Sequence, residues 1–344
     1  MSQYTTVQSI QTGDIMRRLL KLALEKPELA ATLLLLILIL VFQNQSDGVF
    51  LSYNNLRSVL GYLPEVALVT IGVTLLMVCG EFDLSIGSVF ALGPMTMSVL
   101  MVVYGWPFWP AMLLGLTICA MVGFLNGWIS ITFNIPSFIT TLGMLFMARS
   151  VTVVISNGFP PRLNFDNIPE HLFVAFIGPG ELFRASFLWM VVIAALMGFL
   201  LGRTNFGNWI RATGGFTAAA QSMGIPIKRV KIICFMICSV LAGLAGTIQV
   251  LRLGSPLPSL GEGVELQAVA AAVIGGTSLF GGIGSILGGI IGATLIRVID
   301  NGMVMSQIDS NWFKFAVGAL LILAVIGNAW LRKRGRAMRV EVHK

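Results

Sequence analysis

The strongest constraint on this chain is that apolar runs as long as a bilayer is thick recur from one end to the other. A spanning helix needs about 20 mostly apolar residues, and about ten runs meet that criterion. They fall near Pro27–Phe42, Gly61–Cys79, Ile86–Tyr104, Ala111–Thr132, Ser137–Ile155, Phe187–Leu201 and Ile232–Leu251, on either side of a glycine cluster at Gly275–Gly282, and at Trp312–Trp330. Backbone polar groups in lipid must find partners within the protein, which long apolar runs achieve as helices. Charged residues make up only 11% of the chain, against about a quarter in an ordinary soluble domain. The expected fold class is therefore all-α: a polytopic membrane helix bundle of about ten transmembrane helices, some of them broken at glycine-rich hinges.

The placement of basic residues orients the bundle. Arg17, Arg18, Lys21 and Lys26 precede the first run, and Arg332, Lys333, Arg334, Arg336, Arg339 and Lys344 follow the last. Between the sixth and seventh runs, Arg203–Lys231 carries Arg203, Arg211, Lys228, Arg229 and Lys231 and no acidic residue. Lys and Arg near span ends stay on the cytoplasmic side, so both termini and this loop are expected inside. The organisation follows as a cytoplasmic segment 1–26, a membrane domain 27–330 with its cytoplasmic loop at 203–231, and a basic cytoplasmic tail 331–344. Contact with acidic lipid headgroups is a natural by-product; nucleic acid is not, for want of a basic face with interleaved aromatics. Ser46–Arg57 and the long excursion Ser156–Ala185 are expected as outer loops, and the polar start of the chain argues that the first run is a span and not a cleaved signal. Cys79, Cys119, Cys234 and Cys238 lie within apolar runs and are expected as buried thiols; with two His in the chain, no metal site is expected.

Within the cytoplasmic loop, Thr213-Gly214-Gly215 reads as a turn and Phe216–Met223 as a short helix closed by Gly224 and Pro226. Such a helix, held between two spans, is a handle that a soluble partner can grip. A second group lies at Gly80–Ser88. An acid at the centre of a lipid-facing helix costs about 2.5–3.5 kcal/mol, so Glu81 and Asp83 must sit at a helix end, in a lumen or against a partner. Capping by Asp83 and Ser85 is the plainer reading, and contact with a transported solute the sharper one. Gly284, Gly288 and Gly292, like Gly123 and Gly127, form small-residue stripes suited to close helix packing. Asn126 is expected to make an interhelical hydrogen bond, and Arg149 to snorkel to the outer interface. Ile86-Gly87-Ser88 recurs as Ile283-Gly284-Ser285, each after a hinge that follows an apolar helix with an acid at its start (Glu65, Glu265). Repeats with broken helices are common in transporters.

Absences narrow the chemistry. No lysine follows a glycine, so the chain lacks the phosphate-cradling loop of a P-loop ATPase. It also lacks a G-x-S-x-G nucleophile elbow, and acids and bases suited to a proton relay are scarce within the spans. An intramembrane enzyme, a channel and an ion-coupled carrier are thus the weaker readings.

The motifs resemble those of one family. Gly80-Glu81-Phe82-Asp83-Leu84-Ser85-Ile86-Gly87-Ser88 resembles the G-x-x-DLS-x-GS element of permeases in the ribose/xylose class of bacterial ABC sugar importers. Gly123–Gly127 with Ile135–Gly143 is similar to a second element, Arg211–Ile225 to the cytoplasmic coupling loop, and Ala270–Gly284 to a glycine-rich hairpin. The likeness runs in family order from about Asn54 onward. Branched-chain amino-acid permeases usually lack the DLS-x-GS form, which favours sugar. Glu81-Phe82 departs from a frequent Gly-Ile, and Phe216-Thr217 from a frequent Asn-Glu. The resemblance implies a bacterial inner-membrane subunit that pairs with a second copy or a homologous permease. Cytoplasmic ABC ATPase subunits would bind the ATP, this chain needing no cofactor, and a periplasmic sugar-binding protein would deliver a monosaccharide or polyol. The same architecture can import a nucleoside or an autoinducer-type sugar derivative. Arg211, Thr213, Gly214, Gly215, Ala218, Ala219, Ala220, Ser222 and Gly224 are the expected coupling residues. Glu81, Asp83, Ser85, Gly87, Asn126, Gly275, Gly276, Thr277 and Ser278 are the hinge or translocation candidates.

Overall fold

The computed structural model describes residues 27–165, 168–309 and 311–341, with 328–341 as backbone only. Segment 1–26 and the side chains of the basic tail, both named above, lie outside the described residues. Helices α1 (Pro27–Gln45), α2 (Tyr53–Val78), α3 (Ile86–Val102), α4 (Phe108–Thr132), α5 (Ser137–Ile155) and α6 (Ala185–Arg203) come first. Two short helices follow, α7 (Asn205–Gly215) and α8 (Thr217–Ser222), then α9 (Ile227–Leu253), α10 (Val264–Ile274), α11 (Ile286–Met305) and α12 (Trp312–Glu341). Among the described residues seven of these are long and apolar enough to cross a membrane: α1, α2, α4, α5, α6, α9 and α11. The chain is an all-α membrane bundle, and α3, α10 and the apolar part of α12 are shorter. At 1.5 Å per residue, the 11 residues of α10 extend roughly 16 Å, about half a hydrocarbon core.

Burial sorts the helices into a core and a lipid-facing rim. Of the α2 span 89% is buried against 11% of α1 and 22% of α5 and α6. Helix α9 packs on α2, α3 and α4, while α11 packs on α1, α2 and α10. Close approach is bought by small residues. A Cβ on Gly123 would meet the Phe235 carbonyl oxygen at 2.6 Å, and one on Gly127 the Ile232 Cα at 3.0 Å, so the α4 stripe presses on α9 as expected. Gly288 and Gly292 do the same for α11 against the Gly275 and Ala271 carbonyls of the α10 end, at 2.1 and 1.9 Å. Gly284 falls before α11 begins and meets Val78 and Thr277 instead.

Several boundaries differ from the sequence reading, for identifiable reasons. Helix α2 begins at Tyr53, inside the expected outer loop Ser46–Arg57. Asn55 is buried there, donating from Nδ2 to the Phe50 carbonyl at 2.7 Å and to Asn301 Oδ1 at 2.9 Å, so polar contacts extend the helix where hydropathy stops. Arg57 lies over the Phe176 ring and donates to Glu181 at 2.9 Å, fastening α2 to a two-stranded hairpin, β1 (Phe176–Ile177) and β2 (Phe183–Arg184). Glu65 consequently sits inside α2 and not at its start. Thr213-Gly214-Gly215 is the last turn of α7, not a loop; the chain breaks one residue later, at Phe216 (φ −145°, ψ 80°). Helix α12 continues past Trp330 to Glu341. The two Ile-Gly-Ser triplets are out of step: the first enters α3 after Ser85, whereas the second ends on Ser285, the residue that caps α11. Measured from the helix starts, Ser85-Ile86 corresponds to Ser285-Ile286.

Candidate coupling and translocation site

The bundle is interrupted twice, between α2 and α3 and between α10 and α11, and both breaks carry motif residues. In the first, residues 80–84 are irregular and run beside α5. Non-helical backbone at membrane depth requires protein partners, and α5 supplies them. Phe82 N donates to Ser137 Oγ at 3.2 Å and Leu84 N to Thr141 Oγ1 at 3.1 Å. These two hydroxyls, four residues apart on one helix face, lie within the second family-like element, Ile135–Gly143, and are absent from the expected site residues. A Ser/Thr pair at that spacing in the first turn of an apolar helix was the available signal.

Asp83 closes the break. It is buried (3% exposed). Its Oδ1 accepts from Ser85 N at 2.8 Å and Ser85 Oγ at 2.6 Å, and Asn126 Nδ2 approaches both carboxylate oxygens at 3.3–3.4 Å. Asn126 also donates to Ser85 Oγ at 2.8 Å. The carboxylate therefore holds the residue before α3 and the middle of α4 in one polar knot. Asn126 is six residues from the end of α4, so the knot lies roughly 9 Å inside the bundle. Asp83 bonds to Ser85, the N-cap residue itself, and the Ser85 side chain caps no α3 amide. Capping is thus corrected to an interhelical tie, which Asn126 was expected to make. Glu81 behaves differently: it is ion-paired with Lys231 of α9. Gly87 lies apart from both, against Glu265 and the Gly261 carbonyl. Arg149 does not snorkel. It donates to the carbonyls of Pro258, Leu260 (2.8 Å) and Gly87 (3.2 Å), binding the Gly254–Gly263 loop down onto α3.

In the second break Gly276 has φ +92°, which favours glycine. Thr277 and Ser278 are fully buried. Ser278 N donates to the Ile283 carbonyl at 2.8 Å, closing a tight loop, and Thr277 Oγ1 finds no partner among the described residues.

Both breaks meet the end of α7. Gly282 N donates to the Val78 carbonyl at 2.8 Å. A Cβ on Gly214 would lie 2.0 Å from the Val78 oxygen and 2.9 Å from Gly282 N, and one on Gly281 2.6 Å from the Gly214 oxygen and 2.9 Å from the Gly80 Cα. Backbone touches backbone at a junction of Gly80, Gly214, Gly281 and Gly282. Beyond it, Phe216 turns the chain into α8. Thr217 Oγ1 donates back to the Thr213 carbonyl at 2.7 Å, while the Thr213 hydroxyl is buried without a partner among the described residues. Ala218, Ala219 and Ser222 are exposed, Ala220 is buried, and Arg211 is half-buried. Gly224 (φ +78°) turns the chain towards α9. Phe216 and Met223, at the two ends of α8, are each 81% exposed. They were not among the expected coupling residues, although two large apolar side chains bracketing Ala-Ala-Ala are visible in the sequence.

A bundle with seven helices long and apolar enough to cross a membrane, interrupted twice and joined at one short helical hairpin, defines the class of protein: a multi-pass membrane protein. The chain belongs to the family described as branched-chain amino acid transport system/permease component, whose profile matches residues 55–325. It is 33% identical to the probable ABC transporter permease protein YphD of Escherichia coli K12 over 307 residues, covering 89% of this chain and 91% of the relative. It is 35% identical to the E. coli K12 ribose import permease protein RbsC over 294 residues (85% and 90%). The xylose/arabinose import permease protein XylH of Sulfolobus acidocaldarius is 31% identical over 299 residues (84% and 82%). No solved structure matches the chain.

Proposed function

We propose that this chain is the membrane permease of an ABC importer for a monosaccharide or related polyol, energised by ATPase subunits that bind the ATP in its place. Its relatives' names support the solute class. In this reading the chain crosses the membrane about ten times, with the shorter helices α3, α10 and α12 counted as partial or tilted crossings and both termini cytoplasmic. Segments 1–26 and 331–344 and the loop 203–231 then face the cytoplasm, and a second permease copy or a homologue completes the pore. A periplasmic sugar-binding protein delivers the solute to the face formed by the β1–β2 hairpin and the Gly254–Gly263 loop.

The observation that carries the proposal is the glycine junction. Helix α8 offers Phe216 and Met223 as apolar anchors to an ATPase subunit, each contributing about 1.5–3 kcal/mol when fully buried. Closure of the ATPases moves α8, and with it the rigid last turn of α7. Because Gly214 touches Val78 and Gly282 without intervening side chains, that motion reaches both helix breaks directly. Differential contact with the two ATPase states then shifts the bundle between two conformations. Solute passes weakly held, since tight binding would slow its release.

Proteoliposomes containing the permease, its ATPase and its binding protein test this. ATP-dependent accumulation of ribose or xylose is expected, and Phe216→Asp with Met223→Asp should release the ATPase subunit while leaving permease melting unchanged. Accumulation that persists without any ATPase would instead mark an ion-coupled carrier.

A further inference from the structure

A groove of about 670 Å³ opens beside α8, between the α4–α5 turn and the first turn of α9. Among its lining residues are Lys228, Arg229 and Lys231, with Glu81 the one acidic side chain. Lys231 is engaged by Glu81. Lys228 and Arg229 have no carboxylate partner among the described residues. On the α4 side the groove is lined by Ser130, which is only 6% exposed and whose hydroxyl has no hydrogen-bond partner among the described residues. Two free cations and a buried unmatched hydroxyl in one cavity describe a receptor for an anion rich in oxygen acceptors.

The surroundings say which anion. The groove lies at the ends of α4 and α5, and the residues flanking it include exposed Phe133, Ile135 and Phe138. Both helices are mostly unburied by the rest of the bundle, with 33% and 22% of their spans covered. A soluble anion has no use for such an apolar rim, whereas a phospholipid fills both parts. We propose that this groove seats the phosphate headgroup of an anionic phospholipid of the cytoplasmic leaflet, with the acyl chains on the open faces of α4 and α5. Arg229 and Lys228 hold the phosphate oxygens, and Ser130 donates its hydroxyl proton to the headgroup. Because Glu81 and Lys231 share the groove and Glu81 adjoins Gly80, the lipid sits against the coupling junction.

The proposal rests on the cytoplasmic orientation given above, and the two fail separately. Labelling the Ser222→Cys variant from either side of the membrane reads orientation, whereas lipid retention in detergent has no sidedness. The permease–ATPase complex would be examined by native mass spectrometry with phosphatidylglycerol and with phosphatidylcholine. Retention of phosphatidylglycerol over phosphatidylcholine is expected. Lys228→Gln with Arg229→Gln should weaken it about 30-fold, from about 1 kcal/mol for each basic residue near the surface. Ser130→Ala should weaken it about 5-fold. The charge-conserving Lys228→Arg with Arg229→Lys should retain binding, separating charge loss from misfolding. Equal retention of the two lipids would overturn the proposal. So would undiminished phosphatidylglycerol in the double Gln variant; if the ATPase subunit were lost from that variant, the two cations would mark a protein-docking contact instead. Displacement by millimolar inorganic phosphate as readily as by excess phosphatidylglycerol would make it a free-anion site and would also overturn it.

Discussion

Replacing Gly214 by alanine tests the junction with a single methyl group. Alanine inside a helix is ordinarily favourable over glycine by about 1 kcal/mol, so propensity alone predicts a modest gain for this position in the last turn of α7. The junction predicts the reverse. The added carbon would sit 2.0 Å from the Val78 oxygen, 2.8 Å from the Cys79 carbonyl carbon and 2.9 Å from Gly282 N. All three are backbone atoms, none can rotate away, and ordinary contact begins near 3.4 Å. The helices must therefore separate by about 1.4 Å at the oxygen. Overpacking of this kind costs about 1–3 kcal/mol; a 2.0 Å approach to immobile backbone belongs at the upper end, which leaves a net loss of about 2 kcal/mol, or a roughly 30-fold shift in a two-state equilibrium. Gly215 is the internal control, because its added carbon would meet only the Gly282 Cα, at 3.7 Å. Sugar uptake and ATP hydrolysis would be measured together in proteoliposomes. Gly214→Ala is expected to keep its ATPase subunit, whose contact surface is unchanged, but to lose uptake per ATP by the factor above. Gly215→Ala should behave as wild type. Equal behaviour of the two variants, or a Gly214→Ala protein that is more stable and fully coupled, would refute the reasoning.

Other expectations follow from the polar contacts. Arg252 donates from Nε and Nη2 to both oxygens of buried Glu65, at 2.7 and 3.0 Å. Arg252→Met alone strands the carboxylate and should cost about 3–5 kcal/mol, while Arg252→Met with Glu65→Leu should recover most of it; thermal unfolding in detergent compares them, and a double variant no better than the single would count against the pairing. Thr141→Val removes the acceptor for the Leu84 amide, at about 1–3 kcal/mol. Hydrogen exchange at residues 82–85 should quicken, and unchanged protection there would contradict the assignment. Arg149→Met releases the Pro258 and Leu260 carbonyls and should raise exchange across 254–263 while leaving α5 protected; an undisturbed loop would show that the arginine does not hold it.

The helical membrane fold was legible because hydropathy over a span-length window is a local property of the chain. Ser137–Ile155 appears with the expected limits, and Pro27–Gln45 and Ile86–Val102 lie within three residues of theirs. The motif stretches were legible too, since glycine and proline clusters mark where helices stop. The start of α2 was not, because Asn55 and Arg57 continue the helix through partners far away in the chain, Asn301 and Glu181. Nor was the role of Arg149, which depends on three carbonyls from two other segments.

What the amino-acid order determined by itself is therefore the material: apolar lengths that must be helices in lipid, and small residues where backbones can come close. Which glycines meet was decided only by the tertiary structure. Gly80, Gly214 and Gly281 are separated by more than a hundred residues in one direction and more than sixty in the other, and no local pattern distinguishes them from the rest of the 38 glycines. Their shared property, the absence of a Cβ where three backbones converge, has a physical consequence only once the helices are packed.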